Sequence, residues 1–268
     1  MSTTLTDEAL VLRRHRYAES SLVTHVLTRS HGRVHLLAKG AYRPKSAFSG
    51  VIDLFDTLEL TWSPNRRSEL QVLKAGRPLR LRRPITRDLE RYRRSLAVVE
   101  LTELAARPEH TDSKLFSALE RALDRFAAEL DPGLTELAFS LQFLEALGLE
   151  PALEHCAACG KLAPKEVLPA QQVHFSAESG GCLCRDCARE ARASGRRVGR
   201  LPMDVLHIAH SLRSADSATL GALGLAPETR SRVRDFVERF LEYHLEARPR
   251  SRRSTPDARR APSRTTSR

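Results

Sequence analysis

Between residues 8 and 80, apolar residues recur in short β-type runs. Ala9-Leu10-Val11-Leu12 comes first, then Leu22-Val23-Thr24-His25-Val26-Leu27-Thr28. Ser30-His31-Gly32 turns the chain into Val34-His35-Leu36-Leu37-Ala38. Beyond a loop at Gly40–Gly50 follow Leu58-Glu59-Leu60-Thr61-Trp62 and Leu70-Gln71-Val72-Leu73, separated by the turn cluster Ser63-Pro64-Asn65-Arg66-Arg67. About five short strands within about 75 residues predict a small barrel such as an OB-fold, and the pattern also suits a sandwich or an SH3-like barrel.

At Pro84 the period changes from strand to helix. Leu89, Tyr92, Leu96, Val99, Leu101 and Leu104 follow helical spacing up to Pro108. Leu115–Leu130 is a second helix capped by Asp112 or Ser113, and Leu134–Leu147 is a third, strongly apolar one ended by Gly148. Pro202 starts a helix carrying Val205, Leu206, Ile208, Ala209 and Leu212. Leu220–Leu225 is a connector, and Pro227 opens a last helix with Val233, Phe236, Val237, Phe240, Leu241 and Leu245 on one face.

The stretch between the two helical segments carries the chemistry. Cys156-Ala-Ala-Cys159 and Cys184-Arg-Asp-Cys187 are two CxxC knuckles separated by 24 residues, the spacing of a four-thiolate zinc site. Val173-His174-Phe175 reads as a strand, Gly180-Gly181 as a turn and Arg185–Ala193 as a helix. Four thiolates fill the metal's shell and leave no position for a catalytic water, so the predicted zinc is structural. A redox CxxC needs a βαβ setting that is missing here. Cys182 is the spare thiol, buried or free, because its spacing to Cys187 is wrong for a knuckle.

The expected architecture is α+β and multidomain. It comprises an N-terminal OB-fold barrel at 1–83, a helical domain in two parts at 84–151 and 195–246, an embedded four-cysteine zinc module at 152–194, and a basic tail at 247–268. Apolar residues make up 41% of the chain, and no run is long enough to span a membrane. Met1–Leu10 lacks the apolar core of a secretory signal, and reduced metal-ligand cysteines fit the cytosol.

The net charge of +11 is unevenly distributed. Residues 1–85 hold 15 Lys and Arg against 7 Asp and Glu; residues 86–246 hold 21 against 25; residues 247–268 hold 8 against 1. A basic N-terminal domain beside a mildly acidic middle implies a polyanion-binding module joined to something else. The Arg-, Ser-, Thr- and Pro-rich tail is expected to be disordered, since it buries too little to offset chain entropy; it either adds non-specific attraction to DNA or is merely solvated.

Within the basic domain, Lys39-Gly40-Ala41-Tyr42-Arg43-Pro44-Lys45-Ser46 is the candidate DNA-binding loop. Glycine lets a backbone approach, Lys39, Arg43 and Lys45 can meet phosphates, and Tyr42 can stack on a base. The plain alternative is a solvated basic loop. Arg13, Arg14, Arg16 and Arg33 on neighbouring strands would widen the patch. His15, His25, His31 and His35 read as ordinary strand and turn residues. No GxxxxGK[ST], HExxH, Gly-x-Ser-x-Gly or paired-carboxylate motif occurs, so no enzyme constellation emerges. A nucleic-acid-modifying enzyme and a zinc-ribbon RNA-binding or transcription-associated protein are the rival classes.

The order of these pieces resembles the bacterial recombination mediator RecO family over residues 8–246. The resemblance is carried by Glu8-Ala9-Leu10-Val11-Leu12-Arg13, Tyr17-Ala18-Glu19-Ser20, Thr28-Arg29-Ser30-His31-Gly32 and, above all, Ala38–Ser46. Later pieces are Leu58-Glu59-Leu60, Leu147-Gly148-Leu149, Cys156–Gly160, Phe175-Ser176 and Gly180–Cys187. It implies an OB-fold, a helical domain and a zinc module with Cys156, Cys159, Cys184 and Cys187 as ligands, and Lys39, Arg43 and Lys45 facing DNA.

It further implies a cytoplasmic, nucleoid-associated protein that binds single- and double-stranded DNA and anneals complementary strands. Such a protein works with RecR and the C-terminal tail of the single-strand-binding protein to load RecA. Arg121, Arg125 and Arg239 are the conceivable contacts for that tail. The arginine-rich end of this chain departs from the compact family pattern.

Overall fold

Strand β1 (Leu5–Tyr17) is long because it serves two partners. In the computed structural model, which describes residues 4–48, 50–65, 68–162 and 172–245, Leu5–Leu10 pairs with β4 (Thr57–Ser63) and Ala9–Tyr17 pairs with β2 (Ser21–Thr28). A register shift between Val11 and Arg13 bends the strand from one partner to the other. With β3 (Gly32–Ala38) and β5 (Leu70–Arg80) the strands close in the order β1-β2-β3-β5-β4. All neighbours are antiparallel except β3 and β5, which run parallel. This closed five-stranded barrel is the OB-fold.

Pleating sorts the side chains of β1. Ala9 and Val11 point into the barrel with Val26, Leu36, Leu58, Leu60 and Trp62, while Leu10 and Leu12 point outwards into the helical core. Both faces are therefore buried, which explains the unbroken apolar run at 9–12. Burying Leu10, Leu12 and Leu27 against helices contributes about 1.5–3 kcal/mol each to joining barrel and helices.

A 3-10 turn at Arg83–Arg87 leads into α1 (Leu89–Ala105), α2 (Ser113–Ala127) and α3 (Pro132–Ala146). Asp88, Asp112 and Asp131 cap them, each carboxylate accepting an N–H three residues on. After the cysteine-bearing segment come α5 (Met203–Ser214), α6 (Ser217–Ala222) and α7 (Pro227–Leu245), whose apolar faces join the same core. Two expectations are corrected. Leu89 and Leu104 are exposed, because the buried face of α1 centres on Ser95, Val98, Leu101 and Thr102 rather than on Leu96. The supposed connector at Leu220–Leu225 overlaps α6, whose start is capped by Asp216 accepting from Thr219 N–H at 2.7 Å.

The cysteine-bearing segment forms a three-stranded sheet, β6 (Gln172–Ser176), β7 (Gly181–Leu183) and β8 (Gly199–Pro202), in the order β7-β6-β8, with α4 (Arg185–Ala193) beside it. Val173, Phe175 and Cys182 pack into the helical core, where Phe175 meets the Phe236 ring edge-on at 5.0 Å. Strand β8 carries no periodic signal of its own and pairs with the edge of β6 opposite β7. The tail at 247–268 and the Arg66-Arg67 pair lie outside the described residues.

Candidate nucleic-acid interface and metal centre

The four knuckle cysteines meet in space. Their sulfurs all lie within 4.8 Å of one another, with Cys159 Sγ and Cys184 Sγ 3.9 Å apart. A tetrahedron of Zn–S bonds of about 2.3 Å has edges of about 3.8 Å, so the donor set fits a four-thiolate metal site. Both knuckles are held by the backbone. Cys156 N–H donates to Lys161 O at 2.7 Å, Gly160 N–H to Cys156 O at 2.9 Å, and Ala188 N–H to Cys184 O at 2.9 Å as α4 begins. Gly181 packs so closely on Ala152 that a Cβ there would sit 2.6 Å from Ala152 N. Its φ of +153° also disfavours any other residue.

The thiols differ electrostatically. Burial opposes ionisation of Cys156, yet the backbone N–H groups of Cys184, Cys159 and Ala158 and the Cys159 thiol hold its pKa down at about 6. Cys187 is pushed up, first by its hydrogen bond with Cys184, then by burial and the other thiols. A Cys156 thiolate beside a Cys187 thiol that resists a second negative charge is an arrangement that a divalent cation would neutralise.

Cys182 is excluded by pleat. It is fully buried, opposite Phe175 in the β6–β7 pair, and its Sγ lies 3.5 Å from Leu153 O. Its neighbour Leu183 points the other way, into the small cluster with Cys156, Ala188 and Ala191. Burial, and then the Cys156 charge, pushes the Cys182 thiol up to about 12.

On the barrel, the loop after β3 is pegged at both ends. Ala41, Ile52 and Phe48 pack on the barrel core. Tyr42 N–H donates to Ser20 O at 2.9 Å, tying the loop to the β1–β2 turn. Gly40 at φ +68° starts a tight turn closed by Arg43 N–H donating to Gly40 O at 3.0 Å, followed by Ser46 N–H to Arg43 O at 3.1 Å. These pegs leave Lys39, Tyr42, Arg43 and Lys45 exposed. Among the described residues, none of the three cations forms an ion pair.

The four strand arginines divide between the loop and α1. Arg16 joins the loop: its guanidinium lies 5.3 Å from the centre of the Tyr42 ring and donates to Glu19 O at 2.9 Å. Arg14 is tied down at the loop's far end, donating to Ile52 O at 2.7 Å and pairing with Asp53 at 2.9 Å. Arg13 and Arg33 turn towards α1. Arg13 lies 4.0 Å from the Glu103 carboxylate, and Arg33 donates to Glu103 O at 3.4 Å. His25 Nδ1–H donates to the same carboxylate at 2.9 Å, and its ring stacks on His35 at 4.1 Å. His25 and His35 are strand residues that face each other across β2 and β3.

Two further features escaped sequence reasoning. Tyr17 is 51% exposed, beside Arg16 at the end of β1, in a stretch that reads only as more strand. A cleft of about 360 Å³ opens between the β2–β3 turn, Pro64–Asn65 and Pro108–Glu109, floored by Val34 and Trp62. Its walls come from segments far apart in the chain, so no local pattern marks it. Of the three arginines considered for peptide contact, Arg121 lines a cleft of about 270 Å³ with Lys114, Ser117 and Gln142. Arg125 is buried and donates to Ala215 O, while Arg239 is exposed on α7.

Comparison with known proteins agrees with this geometry. Residues 1–82 match the family described as Recombination protein O N terminal, and residues 86–253 match Recombination protein O C terminal. A DNA repair protein RecO from Roseiflexus sp. is 31% identical over 246 residues, covering 91% of this chain and 82% of that one. The protein of the same name from Myxococcus xanthus is 30% identical over 249 residues, covering 91% and 94%. That from Anaeromyxobacter sp. is 32% identical over 246 residues, covering 91% and 92%. Among the described residues no helix is long and apolar enough to cross a membrane. With both halves of the family pattern, the OB-fold barrel and the four-cysteine cluster in place, the chain belongs to the RecO family of DNA repair proteins.

Proposed function

We propose that this protein is a non-catalytic DNA repair and recombination mediator. It binds single- and double-stranded DNA and anneals complementary strands. With RecR it helps load RecA onto DNA coated with single-strand-binding protein. The observation that carries this reading is a barrel loop held rigid by its own turns while Lys39, Arg43 and Lys45 stand exposed beside Tyr42 and Arg16. Cations meeting phosphates release counterions and lower the repulsion between two strands. Tyr42 stacks on a base and holds it open for pairing.

In this reading residues 1–83 are the DNA-binding domain, and 84–151 with 195–246 form one helical domain carrying the zinc module at 152–194. The metal is a single structural Zn²⁺ held by Cys156, Cys159, Cys184 and Cys187. It fixes the two knuckles and the start of α4. The acidic, apolar tail of the single-strand-binding protein docks on the helical domain, where the Arg121 cleft supplies a cation beside Gln142. The protein works in the cytoplasm at the nucleoid.

The test is annealing of two complementary single strands, each coated with single-strand-binding protein, over a series of salt concentrations. ATP-independent acceleration that fades with salt is the expected result. No acceleration by folded, zinc-loaded protein would overturn the mediator reading and bring RNA ligands forward.

A further inference from the structure

Strand β6 presents Val173 and Phe175 to the helical core, so His174 between them faces the other side of the sheet. Its cross-strand partner on β8 is Arg200. Helix α4 turns Ala188 and Ala191 inward and brings Arg192 over the same spot, where Arg192 Nη2 donates to His174 Nδ1 at 3.2 Å. A guanidinium has no acceptor, so His174 accepts through Nδ1 and carries its proton on Nε2.

Residues 185–200 contain six arginines, at 185, 189, 192, 196, 197 and 200, against two acids, Asp186 and Glu190. All six are exposed. Arg189 pairs with Asp186 at 3.2 Å and Arg196 with Glu178 at 3.9 Å. Among the described residues, Arg192, Arg197 and Arg200 meet no carboxylate. Burial, and then the charges of Arg192, Arg200 and Arg185, holds the His174 pKa below its ordinary value. A surface that concentrates guanidinium groups against electrostatic cost is what a polyanion repays.

We propose that the zinc module is itself a phosphate-binding element, in which Arg192 and Arg200 around His174, with Arg185 and Arg197 flanking them, grip the sugar-phosphate backbone of a nucleic-acid strand independently of the barrel loop. This rests on the reading of the protein as a DNA binder and extends it. Strand annealing needs two backbones held at once, and two separately built cationic surfaces supply one grip for each. The metal then has a second consequence. Cys184 caps α4 and Cys187 lies in its first turn, so the ion that orders the knuckles also sets where Arg185 and Arg192 stand.

The test compares full-length, zinc-loaded protein with the variant Arg192→Gln/Arg197→Gln/Arg200→Gln and with the barrel-loop variant Lys39→Ala/Arg43→Ala/Lys45→Ala. Binding to a fluorescent oligothymidine is measured over a range of salt, together with annealing of bare complementary strands. The module variant is expected to keep its zinc, to lower the salt slope of log K by up to about 2, since each lost single-strand contact removes about 0.7, and to slow annealing several-fold. If its slope and annealing match the wild type while the barrel variant loses both, the module grip is overturned and the DNA-binding reading stands. If the wild type binds neither strand nor duplex, the underlying reading fails as well. Should the variant lose zinc, hydrogen exchange on the wild type decides: saturating oligothymidine is expected to protect residues 185–200, and no protection there overturns the proposal.

Discussion

Arg82 Nε–H donates to Asp124 Oδ1 at 2.7 Å, joining the end of the barrel to the last turn of α2. The Arg82 side chain is almost wholly buried, and its Nη1 donates to Phe55 O at 2.7 Å and Thr57 Oγ1 at 3.0 Å. Arg80 shares the same carboxylate from the solvent side. Removing the acid strands a buried guanidinium. Asp124→Ala is therefore expected to cost about 3 kcal/mol, below the upper range for buried pairs because Asp124 reaches solvent. Urea denaturation measures this, and a loss under about 1 kcal/mol would show that the pair contributes little to joining the domains.

The neighbouring contact is of a different kind. Arg29 pairs with Glu8 at 2.6 Å and Glu120 at 3.1 Å, and lies 4.3 Å from the centre of the Phe116 ring. Arg29→Lys keeps the charge but loses the fork and the stacking face, so a loss of about 1–2 kcal/mol is expected. An unaltered midpoint would mean that charge alone matters there.

For the loop, Tyr42→Ala is expected to weaken oligothymidine binding by about 1–3 kcal/mol while leaving the salt slope as it is, because stacking releases no counterions. The Lys39, Arg43 and Lys45 triple alanine variant is expected to lower the slope by about 2. Anisotropy titrations at several salt concentrations separate the two effects. A Tyr42→Ala variant with wild-type affinity would leave the ring as packing for Arg16 alone.

The five cysteines separate cleanly. Substituting Cys184 by Ser is expected to abolish stoichiometric zinc, whereas Cys182→Ala keeps one zinc per chain and loses about 1 kcal/mol of stability from its buried site. Metal analysis on protein purified without chelator gives the answer. Zinc lost from the Cys182 variant alone would reassign the ligand set.

His35 has its pKa lowered by burial, then by the charges of His25 and Arg33, with Glu69 and Glu103 opposing. His174 and His244 are also lowered, chiefly by burial. A depressed histidine pKa means that the unfolded chain binds more protons between the folded value and the ordinary 6.5. Stability is thus complete above about pH 6.5 and declines as pH falls through that window. Unfolding midpoints at pH 7.5 and 5.5 should differ less for His35→Gln than for the wild type. Equal differences would show that His35 does not contribute.

Much of this molecule is local in origin and so is readable in one dimension. Strand and helix periods, the prolines at 84, 202 and 227, and two CxxC pairs each express themselves within a few residues. Cys182 shows where reading stops: spacing separates it from the knuckles, but only its pairing with Phe175 shows that it faces the helical core. Tertiary structure also decided which arginines remain available. Arg13, Arg14 and Arg16 are near neighbours in sequence, yet closure of the barrel against α1 and the β3–β4 loop gives Arg13 to Glu103, Arg14 to Asp53 and Arg16 to Tyr42. Charge and period are properties of the chain, whereas a partner approached from 26 to 90 residues away is a property of the fold alone.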